Sequence, residues 1–92
     1  MNHAEEATKI ARDVKFTVLG RALADRVAEG ENADALIAQA VILRRIEQDS
    51  ADKATRFAGL ARQVGDAARN GKETQPILDK LVELRRIERT GE

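Results

Sequence analysis

Cysteine, tryptophan and tyrosine are absent from this chain, and histidine and serine occur once each, as His3 and Ser50. Without cysteine there is no disulfide and no thiolate chemistry. A Ser–His or Cys–His nucleophile pair cannot be assembled away from the chain's first residues. No sign of charge is in excess: 16 basic residues balance 16 acidic ones. A dedicated nucleic-acid binder usually shows a net basic domain. The only aromatics are Phe16 and Phe57, which leaves little for base stacking. The longest apolar stretch, Ala35 to Leu43, is interrupted by Gln39 and is too short to cross a bilayer. Met1 to Glu6 is acidic and lacks the apolar run of a signal peptide. These features predict a cytoplasmic protein with no membrane contact.

Other absences bear on catalysis. Glycines such as Gly20, Gly30, Gly59, Gly65 and Gly71 are scattered and form no phosphate-cradling loop. Carboxylates are plentiful, but neighbours such as Glu5/Glu6 and Asp49/Asp52 read as solvated helix starts. No Glu-x-x-His pair offers convergent metal ligands. The expectation is a non-enzymatic protein with no catalytic residue, no cofactor and no metal. Arginine outnumbers lysine 11 to 5 and alanine is abundant. Both are encoded by GC-rich codons, which points to a GC-rich bacterium or one of its phages or plasmids.

What the chain does contain is an internal correspondence. Residues 16–48 laid over 57–89 without a gap agree at 11 of 33 positions, ending in Leu43-Arg44-Arg45-Ile46-Glu47 against Leu84-Arg85-Arg86-Ile87-Glu88. Such a 41-residue offset predicts two copies of one unit. Phe16, Leu19, Leu23 and Val27 share one helical face, as do Phe57, Leu60, Val64 and Ala68. Gly30 and Gly71 follow these segments where a left-handed helix stop belongs. A second helix then starts near Asn32 or Asp34 in the first copy, and near Thr74-Gln75-Pro76 in the second. The fold class expected is all-α, a small bundle of two tandem helical hairpins. Residues 1–92 form one domain, with 1–15 an N-terminal extension of helix one. Asp49-Ser50 can cap a third helix from Ala51, yet no Gly or Pro falls between Glu31 and Ala58, so helices two and three can equally run on as one. Hairpins turning at 30–33 and 71–75 place Lys15 near Glu47 and Arg56 near Glu88.

The mismatches between the copies carry the functional expectation. Val14, Val18, Ala38 and Ile42 of the first copy become Thr55, Gly59, Asp79 and Glu83 in the second. Hairpin one is thus apolar on two faces and hairpin two on one, and a helix apolar nearly all round is normally buried on all sides. Val14, Val18, Ala38 and Ile42 are expected to form a self-association interface in a homodimer, since a self-complementary patch is the usual twofold interface. The duplicated Arg44, Arg45, Arg85 and Arg86 form a candidate docking patch for an acidic protein surface or a nucleic-acid backbone. The same arginines also suit helix C-termini, with Asp25 and Asp66 as partners within the chain. The expected function is a protein–protein interaction module: an adaptor, regulator or inhibitor with a further protein partner, nucleic acid being disfavoured.

Val14-Lys15-Phe16-Thr17-Val18-Leu19-Gly20 alternates, Gly30 follows, and Leu43-Arg44-Arg45-Ile46-Glu47 closes the segment. In this it resembles the ribbon–helix–helix module of ParD-type antitoxins. The resemblance implies a strand over these residues and a DNA-binding repressor or antitoxin. Lys15, Thr17 and Leu19 of a dimeric ribbon would then face the major groove.

Overall fold

The computed structural model describes the backbone of residues 3–46 and 56–91 and the side chains of 10–46 and 56–91. Four helices account for nearly all of it: α1 (His3–Ala28), α2 (Asp34–Ile46), α3 (Phe57–Arg69) and α4 (Gln75–Thr90). The described residues contain no strand.

Local chemistry sets the helix ends. Gly30 has φ +74° and Gly71 φ +70°, the left-handed region that glycine enters without a Cβ penalty. At each, the glycine N–H reaches back three residues and the next N–H reaches back five. Gly30 meets the Val27 carbonyl at 3.1 Å and Glu31 the Arg26 carbonyl at 2.9 Å. Gly71 meets that of Ala68 at 3.3 Å and Lys72 that of Ala67 at 2.8 Å. Both are Schellman stops, which satisfy carbonyls the helix would otherwise leave open. At the start of α2, Asn32 Oδ1 accepts the Asp34 N–H at 2.8 Å. Pro76 lies in the first turn of α4, where its missing N–H costs no hydrogen bond.

Two expectations are corrected here. The strand implied by the ribbon–helix–helix resemblance does not form: Val14 to Gly20 lies inside α1. Phe16, Leu19, Leu23 and Ala24 are all buried along one side of that helix, so a helical periodicity prevails over a short alternation. Helices two and three are also not one helix, because Arg56 is extended (φ −87°, ψ 168°) immediately before α3. The suggested cap at Asp49-Ser50 and the Glu47 end of the Lys15 pairing lie outside the described residues.

The core holds Phe16, Leu19, Leu23, Phe57, Leu60, Val64, Leu78 and Leu81, with Ala24 and Ala40 filling between helices. The two helices within each hairpin touch least. α1 packs most extensively on α3 and then on α4, and α2 packs on α3, whereas α1/α2 and α3/α4 contacts are slight. The first helix of each hairpin therefore lies against the second helix of the other. This cross-pairing moves Glu88 from the expected Arg56 to Arg21 of α1, which it meets at 2.7 Å.

Backbone approach is close at two glycines. A Cβ on Gly20 would lie 2.7 Å from the Phe57 carbonyl oxygen, and one on Gly65 2.7 Å from that of Ala40. Glycine lets α1 approach α3, and α3 approach α2, at these points.

Candidate functional site

Polar contacts between the halves come in reciprocal sets. Arg44 Nε donates to Asp66 Oδ1 at 2.8 Å, and 41 residues on, Arg85 Nε donates to Asp25 Oδ1 at 3.1 Å. The Arg62 guanidinium lies 4.7 Å from the Phe16 ring centre, and Arg21 lies 5.0 Å from that of Phe57. Phe16, Arg21, Asp25 and Arg44 are each matched by an identical residue in the second copy. These matched residues thus make matched contacts between residues 16–48 and 57–89. Arg62 also pairs with Asp13, and its side chain is 6% exposed. Buried guanidinium groups need such partners, since an unpaired one is costly to dehydrate.

This network places the four arginines of the candidate docking patch very differently. Arg44 is buried. Arg85 is half-buried between Asp25 and Glu88. Arg86 is exposed and pairs with Glu83 on its own helix, and Arg45 is exposed. Two of the four are therefore taken up within the fold.

Glu88 is the focus of the exposed end of the network. Arg21 Nη2 donates to it at 2.7 Å, and Arg85 donates as well. The hydrogen bond from Arg21 chiefly lowers its pKa, against some desolvation and with help from Arg85, to about 2 from 4.5. A carboxyl lowered on folding stabilises the folded state above its unfolded value, and that contribution fades as pH falls from about 4.5 to about 2. Arg21→Gln should move the Glu88 midpoint up towards 4.5 in an NMR pH titration. A midpoint still near 2 in that variant would show that Arg21 is not the cause.

The other feature is apolar and open. Between α1 and α2 runs a groove of about 470 Å³ lined by Val14, Lys15, Val18, Leu19, Ala22, Leu36, Gln39, Ile42 and Leu43. It arises because α1 and α2 diverge to pack on α3 from either side and touch each other little. Val14, Val18 and Ile42 are 56%, 61% and 56% exposed. Leu19, Leu36 and Leu43 close the floor from the core side. Three of the four expected interface residues thus meet at one groove. Ala38 is exposed on α2 but does not line it. The mismatch of Ala22 with Gln63 also falls on this groove, whereas reasoning from the mismatched positions missed Leu36 and Leu43, and also Ile10 and Ile46, which are exposed at 63% and 61%. The spacing of four in Ile10-Val14-Val18 and in Ile42-Ile46 is the signal that extends the stripe along both helices.

A second hollow, between the 30–34 turn and the start of α4, is lined by Glu31, Asp34, Thr74 and Gln75 among others. Its only charged side chains are carboxylates, so the two helix starts there attract no anion. Among the described residues no group of three His, Cys, Asp or Glu side chains could hold a metal ion, and no helix is long and apolar enough to cross a membrane. No protein-family model, curated protein or solved structure matches this chain.

Proposed function

We propose that this protein is a non-enzymatic interaction module, a small adaptor, regulator or inhibitor, built from two copies of one hairpin and working as a homodimer closed through the α1/α2 groove. One observation carries this reading: Val14, Val18 and Ile42, large apolar residues, stand more than half exposed around a groove with a leucine floor. Contiguous exposed apolar surface of this kind marks interaction sites. In the proposed dimer, Val14 and Val18 of each copy face the groove of the other, as a twofold contact requires. Among the described residues the groove's one charge is Lys15. A long amine stem can lie along apolar surface and keep its head in water, so a second copy buries no unpaired carboxylate.

The reciprocal contacts between the halves support the duplication, and the GC-rich composition supports a bacterial, phage or plasmid origin. The runner-up, a ribbon–helix–helix DNA binder, lacks the strand it needs, since Lys15 and Thr17 lie on a helix. With the groove closed, Arg45 and Arg86 remain exposed for an acidic surface on a further protein partner.

Ile42→Glu is the test. The second copy already carries Glu83 at the matching position, on a well-formed helix. The substitution should therefore leave the helical content intact and reduce the sedimenting mass from two chains to one. A wild-type mass of one chain, or an unchanged two-chain mass in the variant, would remove the proposal.

A further inference from the structure

We propose that the charged outer face of hairpin two is what stops this assembly at two chains. The inference rests on the docking reading above and concerns the surface related to the groove by the 41-residue offset. By the 41-residue offset the α1/α2 face corresponds in sequence to the α3/α4 face, and the first helix of each hairpin packs on the second helix of the other. Ile42 on the first corresponds to Glu83 on the second, and Ala38 to Asp79.

Both acids are exposed and both are held. Glu83 pairs with Arg86, whose hydrogen bond lowers its pKa and keeps it ionised. Asp79 Oδ1 accepts from Gln75 Nε2 at 2.8 Å. The correspondence is incomplete at Gly59, which is buried where its counterpart Val18 is exposed. Gly59 also offers no side chain to build a ridge like that of Val18.

The difference decides the symmetry of assembly. If both halves carried the apolar face, hairpin one of one chain could dock on hairpin two of the next. Such a head-to-tail contact does not close and grows without limit. Stacked helical repeats end where the outer face of the last unit is polar. Docking an apolar ridge over Glu83 and Asp79 would dehydrate two carboxylates with no cation supplied by the groove except Lys15. Only hairpin one on hairpin one remains, and a twofold contact uses it up. The order of hairpins in the dimer is then two, one, one, two.

Sedimentation equilibrium over a concentration series tests this with Asp79→Ala/Glu83→Ile in the full chain, helical content being checked by circular dichroism. The wild type should reach two chains and no more. The double variant should exceed two chains and keep growing with concentration. Adding Ile42→Glu to it should return the mass to two chains or fewer, which separates ordered growth from indiscriminate aggregation. A double variant that stays at two chains, or one whose growth ignores Ile42→Glu, overturns the capping role and leaves the dimer standing. A wild-type mass of one chain overturns the dimer itself. Should the double variant fail to fold, Glu83→Gln alone is read for concentration-dependent mass above two chains, and its absence counts against the cap.

Discussion

Phe16→Ala is expected to destabilise the protein by about 3–5 kcal/mol, among the largest effects a single core truncation produces. Phe16 is 1% exposed and is the largest of the fully buried side chains. Removing its ring opens a cavity beside α3 and strips the buried Arg62 guanidinium of the face it covers. A domain of this size has only about 5–15 kcal/mol to lose, so unfolding by urea should move to markedly lower denaturant. A loss under about 1 kcal/mol would mean that the site is not the packed core described here. The leucine substitutions sharpen the test, because they keep apolar volume while removing the π face. Cation–π contacts contribute about 0.5–1 kcal/mol when exposed and about 2 kcal/mol when dehydrated. Arg62 is 6% exposed over Phe16, whereas Arg21 is 41% exposed over Phe57. Phe16→Leu should therefore cost more than Phe57→Leu, although the two residues are equivalent in sequence.

Gly65→Ala should also destabilise, against the helix-propensity rule. In an exposed helix interior the change gains about 1 kcal/mol. Here the new methyl would lie 2.7 Å from the Ala40 carbonyl oxygen and 3.3 Å from the Arg44 Cβ. The oxygen belongs to the backbone of α2 and cannot move without shifting the helix and the Arg44–Asp66 pair. Overpacking of this kind costs typically 1–3 kcal/mol, and the backbone location puts the site at the upper end. The net result is a loss of about 1–2 kcal/mol, measurable as a lower urea midpoint at unchanged slope. A stabilised Gly65→Ala would show that α2 and α3 are not in close contact there.

These two cases show which parts of the fold the sequence declares. The helix stops are legible because they are local: a glycine after an apolar-periodic run needs only its own backbone to adopt a positive φ. The core placing of Phe16 and Phe57 is legible because one helical face repeats along about three turns. The alternation in Val14–Gly20 misleads because seven residues are too few to separate a period of 2 from one of 3.6. Three positions of the groove, Val14, Val18 and Ile42, were legible from their mismatch with Thr55, Gly59 and Glu83, since an apolar residue opposite a polar, small or charged counterpart is visible in one dimension. The leucine floor of the groove was not, because Leu36 and Leu43 are alike in both copies and carry no contrast.

The sequence by itself determined the all-helical class, the two hairpin turns, the aromatic core positions and the apolar excess of hairpin one. Periodicity, backbone conformation and composition act within a few residues of one another, so no distant contact is needed to read them. Only the tertiary structure decided that the hairpins interlock, that Arg44 lies in the interior while Arg45 faces water, and that Gly65 marks a close helix contact. Helix pairing depends on how whole faces pack against partners far along the chain, and the 3.6-residue turn leaves several such pairings open until the backbones are placed.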